Sequence, residues 1–162
     1  MADGENKNGG VLALVVALVG VLVGGVLFVG AVSGWFDDPK VKLDAEYYAD
    51  GAEFMELSAG EYEGLVEAKK SFVVFADQDG CTTADRLREY VTRYMTETGI
   101  LTYRMMFAEV KEASLHEKVK YYPSVAVVSK GKVVAFLRAD EDEDADKYND
   151  YDAFKAWIGK YL

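Results

Sequence analysis

Residues 11–32 carry no charge: 22 consecutive positions of Val, Leu, Ala, Gly and one Phe. As a helix this run would be about 33 Å long, enough to cross the hydrocarbon core of a bilayer. It therefore divides the chain, because a fold that forms in water has to be built from the residues C-terminal to it. Trp35 and Phe36 come directly after, where an interfacial aromatic belt would sit. The expected organisation is a polar leader at residues 1–10 and a single transmembrane anchor at residues 11–33. A cleaved signal peptide is the rival, with Ala31-Val32-Ser33 as a cleavage site. Against it, the run is longer than an ordinary signal core and the leader has one Lys against two acids. Lys7 before the span and Lys40 and Lys42 after it are too few to orient the chain by charge. A short leader ahead of one anchor favours a membrane-held domain on the extracytoplasmic side. Gly20 and Gly24 form a GxxxG element, which would supply a weak homodimer face.

The formal net charge is −10, and residues 1–34 hold only Asp3, Glu5 and Lys7, so the remainder carries −9. A domain this acidic is a poor partner for nucleic acid or anionic lipid. One cysteine in the whole chain excludes an internal disulfide.

Residues 34–53 are polar, aromatic and turn-rich and read as a stalk. The pair Tyr47-Tyr48 keeps a docked arm open as the alternative, since aromatic pairs are seldom left in water. Residues 54–162 read as one α/β domain. Residues 54–57 suit a short strand, and Ser58-Ala59-Gly60-Glu61 is a capping box opening a helix to about Lys69, with Tyr62, Leu65 and Val66 inward. Residues 71–76, SFVVFA, suit a buried strand. Leu87, Tyr90, Val91, Tyr94 and Met95 mark an amphipathic helix that Gly99 should end. Residues 104–110 are expected as a strand, and Ser114–Glu117 as a second capping box on a short helix containing His116. Residues 124–129 and 132–137 around Lys130-Gly131 form a hairpin pattern. Phe154, Trp157, Ile158 and Tyr161 mark a last helix. The order β-α-β-α-β-α-β-β-α implies a mixed sheet with helices on both faces.

The single thiol, Cys81, lies in DQDGCTTAD, where a strand meets a helix. FVVFADQDGC followed by a helix, and YYPSVAVVSKGKVVAF with its Pro before a hairpin, resemble the thioredoxin-like superfamily over residues 54–162. The region around FADQDGC is also similar to membrane-anchored bacterial relatives of bacteriocin-transport accessory proteins. The resemblance implies a cis proline facing the active-site cysteine, which would put Pro123 beside Cys81, 42 residues earlier. It also implies a peptide groove there, formed by Thr82, Thr83, Tyr122 and Pro123. One departure matters: the superfamily's redox motif is Cys-x-x-Cys, and here it is Cys81-Thr82-Thr83-Ala84. With one sulfur, a mixed disulfide at Cys81 waits for an outside thiol. Amide groups at a helix start favour a thiolate, Asp79 and Asp85 repel it, and no cation is closer in sequence than Arg86. A reactive thiol and an inert one both stay open.

No other residue forms a catalytic or metal-binding set. His116 is the sole histidine and is expected as a solvated surface residue. The run Asp140–Asp146 fails the EF-hand pattern, with Ala145 where Gly is needed and Tyr151 where Glu is needed, and reads as a solvated acidic loop. No metal and no cofactor is expected. The function that fits best is a membrane-tethered, redox-weakened module in a bacterial cell envelope that binds an extended peptide or protein near Cys81 and Pro123. The alternatives are a monothiol thiol-disulfide oxidoreductase using Cys81, and a structural envelope interaction protein.

Overall fold

The computed structural model describes residues 40–48 and 53–162. The leader, the anchor expected at 11–33 and the pair Gly20 and Gly24 lie outside the described residues. Among those described, no helix is long and apolar enough to cross a membrane.

Five strands form one sheet: β1 (Met55–Glu56), β2 (Phe72–Asp77), β3 (Thr102–Met106), β4 (Ser124–Ser129) and β5 (Lys132–Phe136). Their spatial order is β1-β3-β2-β4-β5, with β1, β3 and β2 mutually parallel and β4 and β5 antiparallel. All six residues of β2 are buried, as its unbroken apolar run requires of a strand covered on both faces. The hairpin turn uses Lys130 and Gly131, both at positive φ, the geometry that matches strand twist. A Cβ on Gly131 would strike the backbone carbonyl of Val66, so only glycine lets this turn close against the neighbouring helix.

The helices are α1 (Ala59–Glu67), α2 (Thr82–Thr98), α3 (Phe107–Glu112), α4 (Ala145–Asn149) and α5 (Tyr151–Ile158). The capping box at Ser58 and Glu61 is formed, and Gly99 ends α2 in the left-handed region. Burial of Leu87, Val91, Tyr94 and Met95 makes one side of α2 part of the core.

Four expectations need correction. The strand expected at 104–110 stops at Met106, and residues 107–112 are helical. A short apolar run cannot separate strand from helix by periodicity, and Ala108, Glu109, Lys111 and Glu112 supply helix-forming positions around buried Val110. Ser114–Glu117 is a 3-10 turn without a capping box. Ser114 instead donates its amide and hydroxyl to Glu63 of α1, at 2.6 and 3.0 Å. His116 is half-buried rather than solvated, because its ring is drawn in against Tyr122. Finally, the acidic run folds: Asp142–Asp144 is a 3-10 turn leading into α4, and buried Asp144 accepts from the Arg138 amide at 2.9 Å.

Residues 40–48 pack on the domain. Leu43 and Tyr47 are core residues, the Val41 amide donates to the Tyr161 carbonyl at 2.7 Å, and Tyr48 bridges Ile100. Tyr47 stands edge-on to Tyr103, while its neighbour Tyr48 stays exposed.

Candidate functional site

At the end of β2 the chain turns through Gln78, Asp79 and Gly80. Gly80 has φ +72, a conformation that costs glycine little and most residues more. The turn delivers Cys81 to the N-cap position of α2 in an extended conformation (φ −113), with no side-chain capping bond. Thr82 is exposed at the first helical position, Thr83 is half-buried, and Ala84 is fully buried. The thiol is therefore partly open to solvent, and the methyl three residues on faces the core.

The second wall comes from the approach to β4. The Tyr122-Pro123 peptide is cis, as the resemblance implied. Tyr122 packs edge-on against Phe107 at 5.0 Å between ring centroids. Its hydroxyl lies 3.2 Å from the Val119 carbonyl and 2.8 Å from His116 Nδ1. His116 Nδ1 also lies 3.2 Å from the Val119 carbonyl, so the imidazole, the tyrosine hydroxyl and this carbonyl meet at one point beside the cavity. The Tyr148 hydroxyl donates to the Pro123 carbonyl at 2.9 Å from α4. Burial pushes the Tyr148 pKa well above the ordinary tyrosine value, and the charges of Asp144 and Asp140 add to it. The group consequently stays a donor across the physiological range.

Cys81, Thr83, Tyr122 and Pro123 line one open cavity of about 300 Å³, together with Asp140, Glu141, Asp142, Tyr148 and Asn149. Of the residues expected to form the groove, Thr82 alone is not part of this lining.

A second cluster sits behind the Cys81 turn. Asp77 is fully buried at the end of β2. Its carboxylate accepts from Arg88 of α2 at 2.9 and 2.8 Å and from Arg104 of β3 at 2.7 Å. The same arginines reach outward, Arg88 to Asp85 at 2.8 Å and Arg104 to Asp79 at 3.6 Å. Asp79 and Asp85, which in sequence order flank Cys81 as uncompensated negative charges, are thus ion-paired. Arg86, the basic residue nearest in sequence, pairs instead with Asn149 at the cavity rim.

Sequence reasoning did not find Tyr148, Arg88 or Arg104. Tyr148 sits on a five-residue helix with no periodic pattern, and the arginines act across elements. Among the described residues, no group of three or more His, Cys, Asp and Glu could hold a metal ion.

No family model and no curated protein matches the chain. Solved structures do resemble it. A thioredoxin from Schistosoma mansoni aligns with a TM-score of 0.52 at 14% identity, over 70% of this chain and 100% of the other. The oxidised thioredoxin of Plasmodium falciparum aligns at 0.51 and 19% identity, over 67% and 98%. A mutant thioredoxin from Halobacterium salinarum aligns at 0.50 and 18% identity, over 70% and 94%. The chain adopts the thioredoxin fold. At these identities the likeness speaks for the fold alone.

Proposed function

We propose that this chain is a thioredoxin-fold module that binds an extended peptide or protein segment in the groove between Cys81 and Tyr122-Pro123, without dithiol cycling of its own. The observation that carries this reading is the buried Ala84, three residues after a thiol that lines a cavity. A cavity lies beside Cys81, and the chain has no second cysteine to close an internal disulfide. The uncharged run at 11–33 further suggests a single-pass tether holding the domain outside the cytoplasmic membrane; resistance of the full chain to alkaline extraction from membranes tests that part.

A second reading rests on the partial exposure of Cys81. Its thiolate attacks one sulfur of a partner disulfide, forming a mixed disulfide and expelling the other sulfur as a thiolate. An external thiol then reduces the mixed disulfide. Insulin reduction driven by dithiothreitol separates the two readings. The wild-type chain should stay near the uncatalysed rate, while Ala84→Cys should form an intramolecular disulfide and raise the rate, because positions i and i+3 at a helix start bring two sulfurs within bonding reach. Wild-type turnover that Cys81→Ser abolishes would favour the monothiol enzyme. Two persistent free thiols in a folded Ala84→Cys variant under mild oxidant would count against the placement of Cys81.

A further inference from the structure

We infer that the occupant of the Cys81 groove is cationic: an extended segment bearing Lys or Arg side chains. This rests on the proposed peptide groove and adds the chemistry of its ligand. The lining includes Asp140, Glu141 and Asp142, all exposed, and no lysine or arginine lines the cavity. The acidic run is sorted by its neighbours. Glu143 and Asp144 are held by Arg138, and Asp144 and Asp146 by Lys147. Glu141 has only a long 3.9 Å approach to Arg138, and Asp140 and Asp142 have no ion pair among the described residues. Asp140 and Glu141 also line a neighbouring cavity with Lys118, Lys120 and Arg138, whereas Asp142 lines the groove alone. Arg86 reaches the rim through Asn149, and no basic residue lines the cavity itself.

The lining also holds the rings of Tyr122 and Tyr148, which an anionic or a small polar ligand would not need. Tyr122 lines the cavity with Phe107 packed behind it. Phe107 lies outside the cavity lining and carries the Lys111 ammonium 4.8 Å from its own ring centroid. Long basic side chains suit such a lining, with apolar stems against the rings and charged heads at the carboxylates. The same field disfavours small anionic thiols such as glutathione at Cys81.

The test uses the reduced full chain in an uncharged detergent, with Cys81 as reporter. Cystamine, hydroxyethyl disulfide and dithiodiglycolate carry positive, zero and negative charge. In each case the Cys81 thiolate attacks one probe sulfur; the Cys81–S bond forms as the probe S–S bond breaks, and the released thiolate takes a proton from water. Rates are divided by those of 2-mercaptoethanol with the same probes. The normalised rates should fall in the order cationic, neutral, anionic, spanning roughly tenfold at low ionic strength and converging at high salt. The triple change Asp140→Asn, Glu141→Gln, Asp142→Asn should collapse the span. An equal loss of charge outside the groove, Glu53→Gln, Glu67→Gln, Glu112→Gln, should preserve it. Charge-independent rates, or the same collapse in both triples, would overturn the inference. A second arm titrates cysteine-free decapeptides of positive, zero and negative charge. Selective binding of the cationic peptide, lost in the groove triple, supports it. Equal binding of all three removes the charge preference and leaves the groove standing, whereas no binding by any removes the peptide-groove reading itself.

Discussion

Asp77 is the residue whose side chain does most to hold the site in place. A fully buried carboxylate at the end of β2 would be costly alone, and two guanidinium groups from different elements compensate it. Both arginines are about a quarter exposed, so part of their charge stays solvated. Asp77→Ala removes three charge-assisted hydrogen bonds and unties Arg88 and Arg104 from the end of β2. The expected loss is about 3 kcal/mol of unfolding free energy, read by urea denaturation. A change below about 0.5 kcal/mol, the size of an ordinary surface substitution, would show the cluster to be incidental. Ala84 shows the opposite economy: a methyl in the core, next to a thiol at the surface, excludes an internal disulfide while leaving the fold unchanged.

Between elements, a second polar link joins α2 to α5. Glu97 accepts from Lys155 at 2.7 Å, from the Tyr151 hydroxyl at 2.9 Å and from Arg93 at 2.9 Å. Arg93 also lies 3.8 Å over the Tyr151 ring. Lys155, then Tyr151, hold the Glu97 carboxyl down at about 2. An unfolded glutamate titrates at about 4.3. A depressed carboxylate contributes stability that is complete above the unfolded value and lost as pH falls through the folded one. The melting-temperature deficit of Lys155→Met relative to wild type should therefore be constant above about pH 5 and shrink between about pH 4 and pH 2. Thermal melts of both chains across that range check the sign; a deficit that grows on acidification would refute the link.

For the molecule as a whole, the described residues bury their own core. Phe72, Phe75, Leu87, Met95, Met105, Leu137 and Phe154 are all fully enclosed, and Leu43 and Tyr47 of the arm complete the same cluster. A chain of residues 35–162 should then be soluble and fold cooperatively without residues 1–34. Circular dichroism and a single sharp melt are the expected results. An aggregated or unfolded product would mean that the apolar run supplies part of the core. Shortening further, to residue 53 onward, should cost stability, because it strips Leu43 and Tyr47 from the sheet.

What could be read directly from the sequence was local. The capping box at Ser58, the apolar face and glycine stop of α2, the continuous run of β2 and the Lys130-Gly131 hairpin each depend on residues a few positions apart, whose backbone preferences and spacing act without the rest of the chain. The strand–thiol–helix junction and the missing second sulfur were legible for the same reason. The errors fell where distant residues decide. Ser114 has a capping-box partner in sequence, but Glu63 of α1 takes its hydrogen bonds. Residues 107–110 look strand-like in isolation, but helix formation there buries Val110. Asp79 looks unpaired until β3 brings Arg104 to it, whereas Asp85 and Arg88 form an i,i+3 pair within α2 that was open to local reading. The cavity itself belongs to this second kind. Cys81, Pro123 and Tyr148 meet because β2 and β4 are neighbours in the sheet and α4 packs across Pro123. Strand order and long-range packing, not local propensity, place a thiol, a cis proline and acidic side chains around one space.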